Sequence, residues 1–246
     1  MYLLIVTLLT AICLVALARR IIFARAKDLD ITWALVGLIF SLIFSLPQIN
    51  ALAERFVGGL GVVNLVSHIV LVMVGWFMTR GLISATYPRH KLTELAISRK
   101  TPLVSTLILA TAWGIGVLGL HDPRVVLDSA MSPVYWTATF VPFLFGIVGV
   151  FQTRKSVSGW DATRPRTGRI KTAYNIAAVT YVCIVLACVL VWATALYEPL
   201  WVFREVLIYL SPLLLLVTLI CFPVHPCSTQ GKENEASKNA QQATNN

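Results

Sequence analysis

Asn64, Ser67 and His68 are the residues of this chain best placed to do chemistry, because they interrupt an apolar stretch running from Gly58 to Thr79. Spacings of three and four positions put all three on one face of a helix. An imidazole flanked by an amide and a hydroxyl can hold a small polar ligand, or it can sense protons where burial and neighbours move histidine titration into the physiological range. The same trio can equally be structural, with a neutral ring donating to a carbonyl or hydroxyl of a neighbouring helix and Asn64 joining the network one turn away. Both readings require the face to point inward, since an unpaired amide or imidazole in hydrocarbon costs several kcal/mol.

Other chemistries lack their residues. No His-Glu-x-x-His pair could hold zinc, no Gly-x-Ser could seat an intramembrane nucleophile, and no Gly-x-Gly-Asp or phosphate-cradling loop is present. The last apolar run has no lysine for a Schiff base. Ion-coupled transporters and proton pumps place ionisable residues within their helices, and here no Asp, Glu, Lys or Arg sits well inside an apolar run. His121 beside Asp122 and His90 in a basic loop read as solvated groups. Cys13, Cys183, Cys188 and Cys221 fall in apolar runs and Cys227 just beyond the last, so they read as small hydrophobes, with neither a disulfide framework nor metal-ligand spacing. The expectation is a protein that is not an enzyme, with no cofactor and no metal.

The elements that must position the polar face are membrane helices. A chain that is 57% hydrophobic and 13% charged, with mean hydropathy +0.78, is far from a soluble domain. Its charges cluster and leave seven charge-free intervals, each about the 17 to 25 residues that a spanning helix needs. These predict an all-α bundle of seven transmembrane helices over about 2–18, 32–47, 60–79, 101–120, 134–152, 174–196 and 206–224. Residues 1–224 then form one transmembrane domain, and the polar segment 225–246 forms a disordered cytoplasmic tail. Ile49, Leu52 and Phe56 predict a short amphipathic helix in the outer interface, broken by Gly58 and Gly59, and Leu92, Leu95, Ala96 and Arg99 predict a second on the inner leaflet. Ala110 with Gly114, and Ala112 with Gly116, are small-residue pairs that favour close helix packing. Pro142, followed by Gly146 and Gly149, and Pro212 after Ser211 predict bends. Ser41 and Ser45 share a face and are expected to bond their own backbone rather than the third span. Tyr135, Trp136, Tyr197 and Trp201 read as belt residues at the outer boundary.

Basic residues orient the bundle. Going along the chain, successive connections hold four, one, five, one, six and one Lys or Arg, with two in the tail, which predicts an outside amino terminus and an inside carboxyl terminus. With Arg19 and Arg20 following the first run rather than preceding it, that run reads as a retained anchor and not a cleaved signal peptide. Arg19, Arg20, Arg89, Lys91, Arg99, Lys100, Arg154, Lys155, Arg164, Arg166, Arg169 and Lys171 then form a basic cytoplasmic surface, open to anionic lipid or a cytoplasmic protein partner. The net charge of +9 reflects this topology and not nucleic-acid binding. The expected location is a bacterial plasma membrane, as a multi-pass protein.

The run from Trp33 through Ser45, Leu46 and Pro47 to Arg55, Gly61, Val62, Asn64, Leu65 and His68 resembles the front half of a family of actinobacterial seven-span integral membrane proteins. Those proteins are uncharacterised and often labelled as transporters. Members commonly have Pro where this chain has Val63, and many continue into a cytoplasmic domain that the short tail here would lack. The resemblance implies a seven-helix fold and no particular mechanism. The leading functional expectation is a non-catalytic sensor or regulatory membrane component signalling through a cytoplasmic partner. The alternative is a transporter or channel for a small neutral or weakly polar solute, its path framed by Pro142 and Pro212 and lined by Asn64, Ser67 and His68.

Overall fold

The computed structural model describes residues 2–23, 29–83, 91–119, 132–159 and 165–221, and all the regular structure among them is helical. The elements are α1 (Tyr2–Phe23), α2 (Leu29–Phe44), α3 (Pro47–Phe56), α4 (Val62–Ile83), α5 (Lys91–Ile97), α6 (Lys100–Gly119), α7 (Ser132–Ser158), α8 (Pro165–Leu196) and α9 (Trp201–Cys221), with a 3-10 turn at Glu198–Leu200. Among the described residues, α4, α6, α7 and α8 are long and apolar enough to cross a membrane, and α2 with α3 makes a fifth candidate if that bent pair is one span. The tail at 225–246, Cys227, and the loop cations Arg25, Lys27, Arg89, Arg124 and Arg164 lie outside the described residues.

The helix surfaces explain the composition. Val15 on α1 and Leu103, Leu107 and Leu118 on α6 are 67 to 91% exposed although the same helices also bury apolar side chains. Helices that are apolar all round fit a lipid surround, where outward leucines lose nothing. The inner faces interlock in one large core of α1, α2, α4, α7, α8 and α9, with Cys13, Leu35, Met78, Phe143, Tyr181 and Leu216 among its members. A smaller core joins α4, α6 and α7 through Leu65, Val72, Leu109, Ala112, Tyr135 and Ala138.

Successive long helices alternate in direction, as their end-to-end ties record. At one end Arg80 of α4 pairs with Asp30 of α2, Tyr174 of α8 donates to the Leu82 carbonyl of α4, and Arg20 of α1 donates to the Leu219 carbonyl of α9. At the opposite end the Trp113 indole of α6 donates to the Leu60 carbonyl just before α4, and the Trp192 indole of α8 donates to Thr137 of α7.

Two elements depart from the sequence expectation, and a third keeps to it. The span expected to end at Pro47 does stop there: α2 ends at Phe44, and α3 leaves at 89° to it. Pro47 has no N–H to continue α2 and holds Leu46 extended, at φ −72° and ψ 121°. Next, α5 is only seven residues long and turns Ala96 and Thr93 inward, leaving Leu92 and Leu95 exposed, so Ala96 belongs to the packing face rather than to the lipid face. Finally, the expected small-residue contact in α6 is half made. Ala112 is buried, while a methyl group added at Gly114 would meet nothing within 4 Å. The close approaches lie elsewhere, at Gly75, where a methyl would stand 2.5 Å from Phe143, and at Gly146, where it would stand 2.6 Å from Thr79.

Candidate functional site

The amino-terminal end of α4 is built by α3. Gly58, Gly59 and Gly61 adopt φ of 90°, 71° and 71°, a left-handed backbone that side chains disfavour, and this lets the chain reverse tightly between the two helices. The reversal returns Glu54 of α3 to the start of α4. Its carboxylate accepts from the backbone N–H groups of Gly61 (3.1 Å), Val63 (2.7 Å) and Asn64 (3.4 Å). An anion on the unsatisfied donors of a helix start is favoured by hydrogen bonding and by the helix dipole together. At the other end of α3, the Asn50 amide donates to the Phe44 carbonyl at 3.2 Å, satisfying a carbonyl that the broken helix leaves open.

Between α3 and the ends of α2, α4 and α7 lies a cavity of about 720 Å³. Ser41, Ser45, Asn50, Glu54, Arg55, Asn64, Ser67 and His68 supply its polar lining, and Phe44, Leu71 and Trp136 part of its apolar wall. The trio singled out in the sequence therefore borders one space. His68 is buried, whereas Asn64 and Ser67 are half-buried. The Ser67 hydroxyl oxygen is buried with no hydrogen-bond partner. Ser45 bonds its own backbone at the Leu42 carbonyl (2.7 Å), and Ser41 reaches across to the Ser67 carbonyl at 3.5 Å, so the two serines divide between the alternatives.

The surroundings of His68 constrain its protonation pattern. Its Nδ1 lies 2.9 Å from the Thr139 hydroxyl oxygen, and that hydroxyl donates to the Tyr135 carbonyl at 2.9 Å. A hydroxyl has one proton. With that proton directed at Tyr135, Thr139 accepts from His68, so Nδ1 carries hydrogen and Nε2 keeps a lone pair in the neutral ring. The rings of Tyr135 and Trp136 pack edge-on to the imidazole, with centroids 4.5 and 4.9 Å away. Tyr135 is only 2% exposed, which corrects its reading as a belt residue, while Tyr197 and Trp201 are exposed.

Below Leu71 the cavity gives way to packing. Val74, Met78 and Phe143 are buried, and Phe143 fills the space against Gly75. An aromatic series runs on from Trp136 through Phe140 and Phe143 to Tyr181, with centroid spacings of 5.7, 6.1 and 5.3 Å. Tyr181 ends it by bonding Thr79 at 2.6 Å. Neither Pro142 nor Pro212 lines the cavity.

The basic residues occupy the opposite end. Arg19, Lys91, Arg99, Lys100, Arg154, Lys155 and Arg169 are exposed there. Lys171 is half-buried and donates to the Ser158 carbonyl at 2.9 Å. Arg20 departs from the expected surface: it is 3% exposed, drawn against α9 by the Leu219 carbonyl near that helix's carboxyl end. Arg89 and Arg164 are outside the described residues, as is the side chain of Arg166. Among the described residues no three of His, Cys, Asp and Glu come together as metal ligands would.

Sequence reasoning missed Glu54, Tyr135 and Thr139. A carboxylate shortly before a glycine-rich turn and an apolar helix was the available signal for Glu54. Tyr135 and Thr139 carry only their spacing of four, which places them together on α7 and says nothing of His68. No protein-family model, curated protein or solved structure matches this chain.

Proposed function

We propose that the protein crosses the membrane seven times, with its amino terminus outside, and acts as a non-catalytic sensor of a small, neutral, polar molecule. The seven helices α1, α2, α4, α6, α7, α8 and α9 alternate in direction, and among the described residues the exposed cations other than Arg55 gather at one end, which supports this topology. The 16 residues of α2 reach about 24 Å, short of the roughly 30 Å hydrocarbon core, and α3, leaving at 89° to it, would lie along the outer boundary.

The observation that carries the functional reading is a cavity that opens at the outer end and stops at His68 and Leu71 above a filled core. A pocket with a floor suits recognition better than conduction. Its ligand would donate a hydrogen bond to His68 Nε2 and accept one from Ser67, whose buried hydroxyl has no other partner. Output would pass along the packed faces of α4 and α7 to the basic inner face, where a cytoplasmic partner reads it. The alternative reading, a transporter or channel for the same kind of solute, has one observation in its favour: the 89° break between α2 and α3 borders the cavity, as broken helices border transporter sites.

The test is a thermal-shift screen of purified protein against neutral polyols, amides and small alcohols. A solute that raises the unfolding temperature of the wild type and leaves His68→Ala unmoved is the expected result. Solutes acting equally on both would remove His68 from the site.

A further inference from the structure

At the end of the bundle remote from His68, α7 and α8 continue past the depth that a bilayer core needs. Their 27 and 32 residues reach about 40 and 48 Å, against roughly 30 Å of hydrocarbon. The overhang carries Arg154, Lys155 and Ser158 on α7 beside Asn175 on α8, and these line a recess of about 640 Å³ with Phe151 and Gln152. Among the described residues no carboxylate lines it. Arg154 gives its Nε proton to Asn175 Oδ1 at 2.6 Å, which fixes the guanidinium and leaves its two terminal nitrogens as donors. Lys155, the next residue, is exposed at the rim. Gln152 Oε1 is buried without a hydrogen-bond partner, and Phe151 is 39% exposed.

We infer that this recess binds the headgroup of an anionic phospholipid whose phosphodiester carries a hydroxylated group, of the glycerol or inositol kind. Each part of such a lipid has a counterpart. The phosphate takes the paired donors of Arg154 and the charge of Lys155, in the planar geometry that guanidinium offers to phosphate. Phosphate alone cannot satisfy Gln152, since an amide oxygen needs a donor and a phosphodiester has none. A headgroup hydroxyl provides that donor. An acyl chain then descends along exposed Phe151 into the bilayer. This site is independent of the outer cavity and of what that cavity senses.

Native mass spectrometry of the full chain, released from phosphatidylcholine nanodiscs doped equally with phosphatidylglycerol, phosphatidylserine or phosphatidylethanol, tests the assignment. Phosphatidylglycerol should be retained about fivefold better than phosphatidylethanol, a phosphodiester without a headgroup donor, the effect of one additional hydrogen bond of ordinary strength. Arg154→Gln with Lys155→Gln should abolish retention of all three. Gln152→Leu should keep charge-driven retention and lose the preference for phosphatidylglycerol. Equal retention of all three lipids by the wild type, or unchanged retention in the double variant, would overturn the inference. So would displacement of the lipid by an equal concentration of free glycerol 3-phosphate, which would make a soluble phosphate the occupant.

Discussion

Replacing Glu54 by alanine should loosen the start of α4 and release α3 from the mouth of the cavity. In the structure one carboxylate serves three backbone donors, two of them at 2.7 and 3.1 Å and the third at a long 3.4 Å. Loss of a helix-capping side chain typically costs about 0.5 to 2 kcal/mol, and the charged acceptor and two good bonds place this one at the upper end, about 2 kcal/mol. If local opening governs exchange, that is roughly a thirtyfold faster exchange of the amides concerned. Hydrogen-exchange mass spectrometry on purified protein in detergent reads it directly. Peptides covering Gly61 to Asn64 should accelerate, while peptides from the middle of α8, which does not touch Glu54, should not. Equal protection of Gly61 to Asn64 in the variant and the wild type would refute the anchoring role. Acceleration throughout the protein would show global destabilisation instead, and would equally count against a local latch.

Other consequences concern packing, protonation and topology. Gly75→Ala should destabilise the protein by about 1 to 3 kcal/mol because the added methyl meets Phe143 at 2.5 Å, whereas Gly114→Ala, facing open space, should stay within about 1 kcal/mol of wild type; thermal unfolding in detergent compares them. Nitrogen-15 NMR of His68 should find hydrogen on Nδ1 in the wild type, and Thr139→Val should remove that preference; hydrogen on Nε2 in the wild type would contradict the assignment drawn from Thr139 and Tyr135. A single cysteine introduced at Gly159, between α7 and α8, should react with a membrane-impermeant reagent only after the membrane is opened. Labelling in intact cells would reverse the proposed orientation.

The helical architecture was legible from the charge-free runs, each of which holds a helix, and among the described residues four of these, or five with the bent pair, are long and apolar enough to cross a membrane. The amphipathic period of Ile49, Leu52 and Phe56 and the glycines after it located α3 to within a residue or two. Pro47 was legible as the end of α2, but the 89° at which α3 leaves was not, because proline forbids continuation without specifying the direction that follows. Asn64, Ser67 and His68 stood out by their polarity alone. Their partners did not: Thr139 and Tyr135 are 71 and 67 positions from His68, ordinary residues for a membrane helix, and only the packing of α4 on α7 brings them together. The Asp30–Arg80 pair was hidden for the same reason, each residue sitting at a helix end where a charge needs no partner to be expected. Arg20 shows the converse, a cation counted towards orientation in the sequence that turns inward to a backbone carbonyl.

The central claim is that the cavity at His68 recognises a solute without conducting it. The most direct measurement is solute flux into proteoliposomes, using any compound that shifts the unfolding temperature through His68. The account predicts saturable binding with uptake no faster than in protein-free vesicles. Uptake that requires the protein and is abolished by His68→Ala would contradict it and make the protein a transporter.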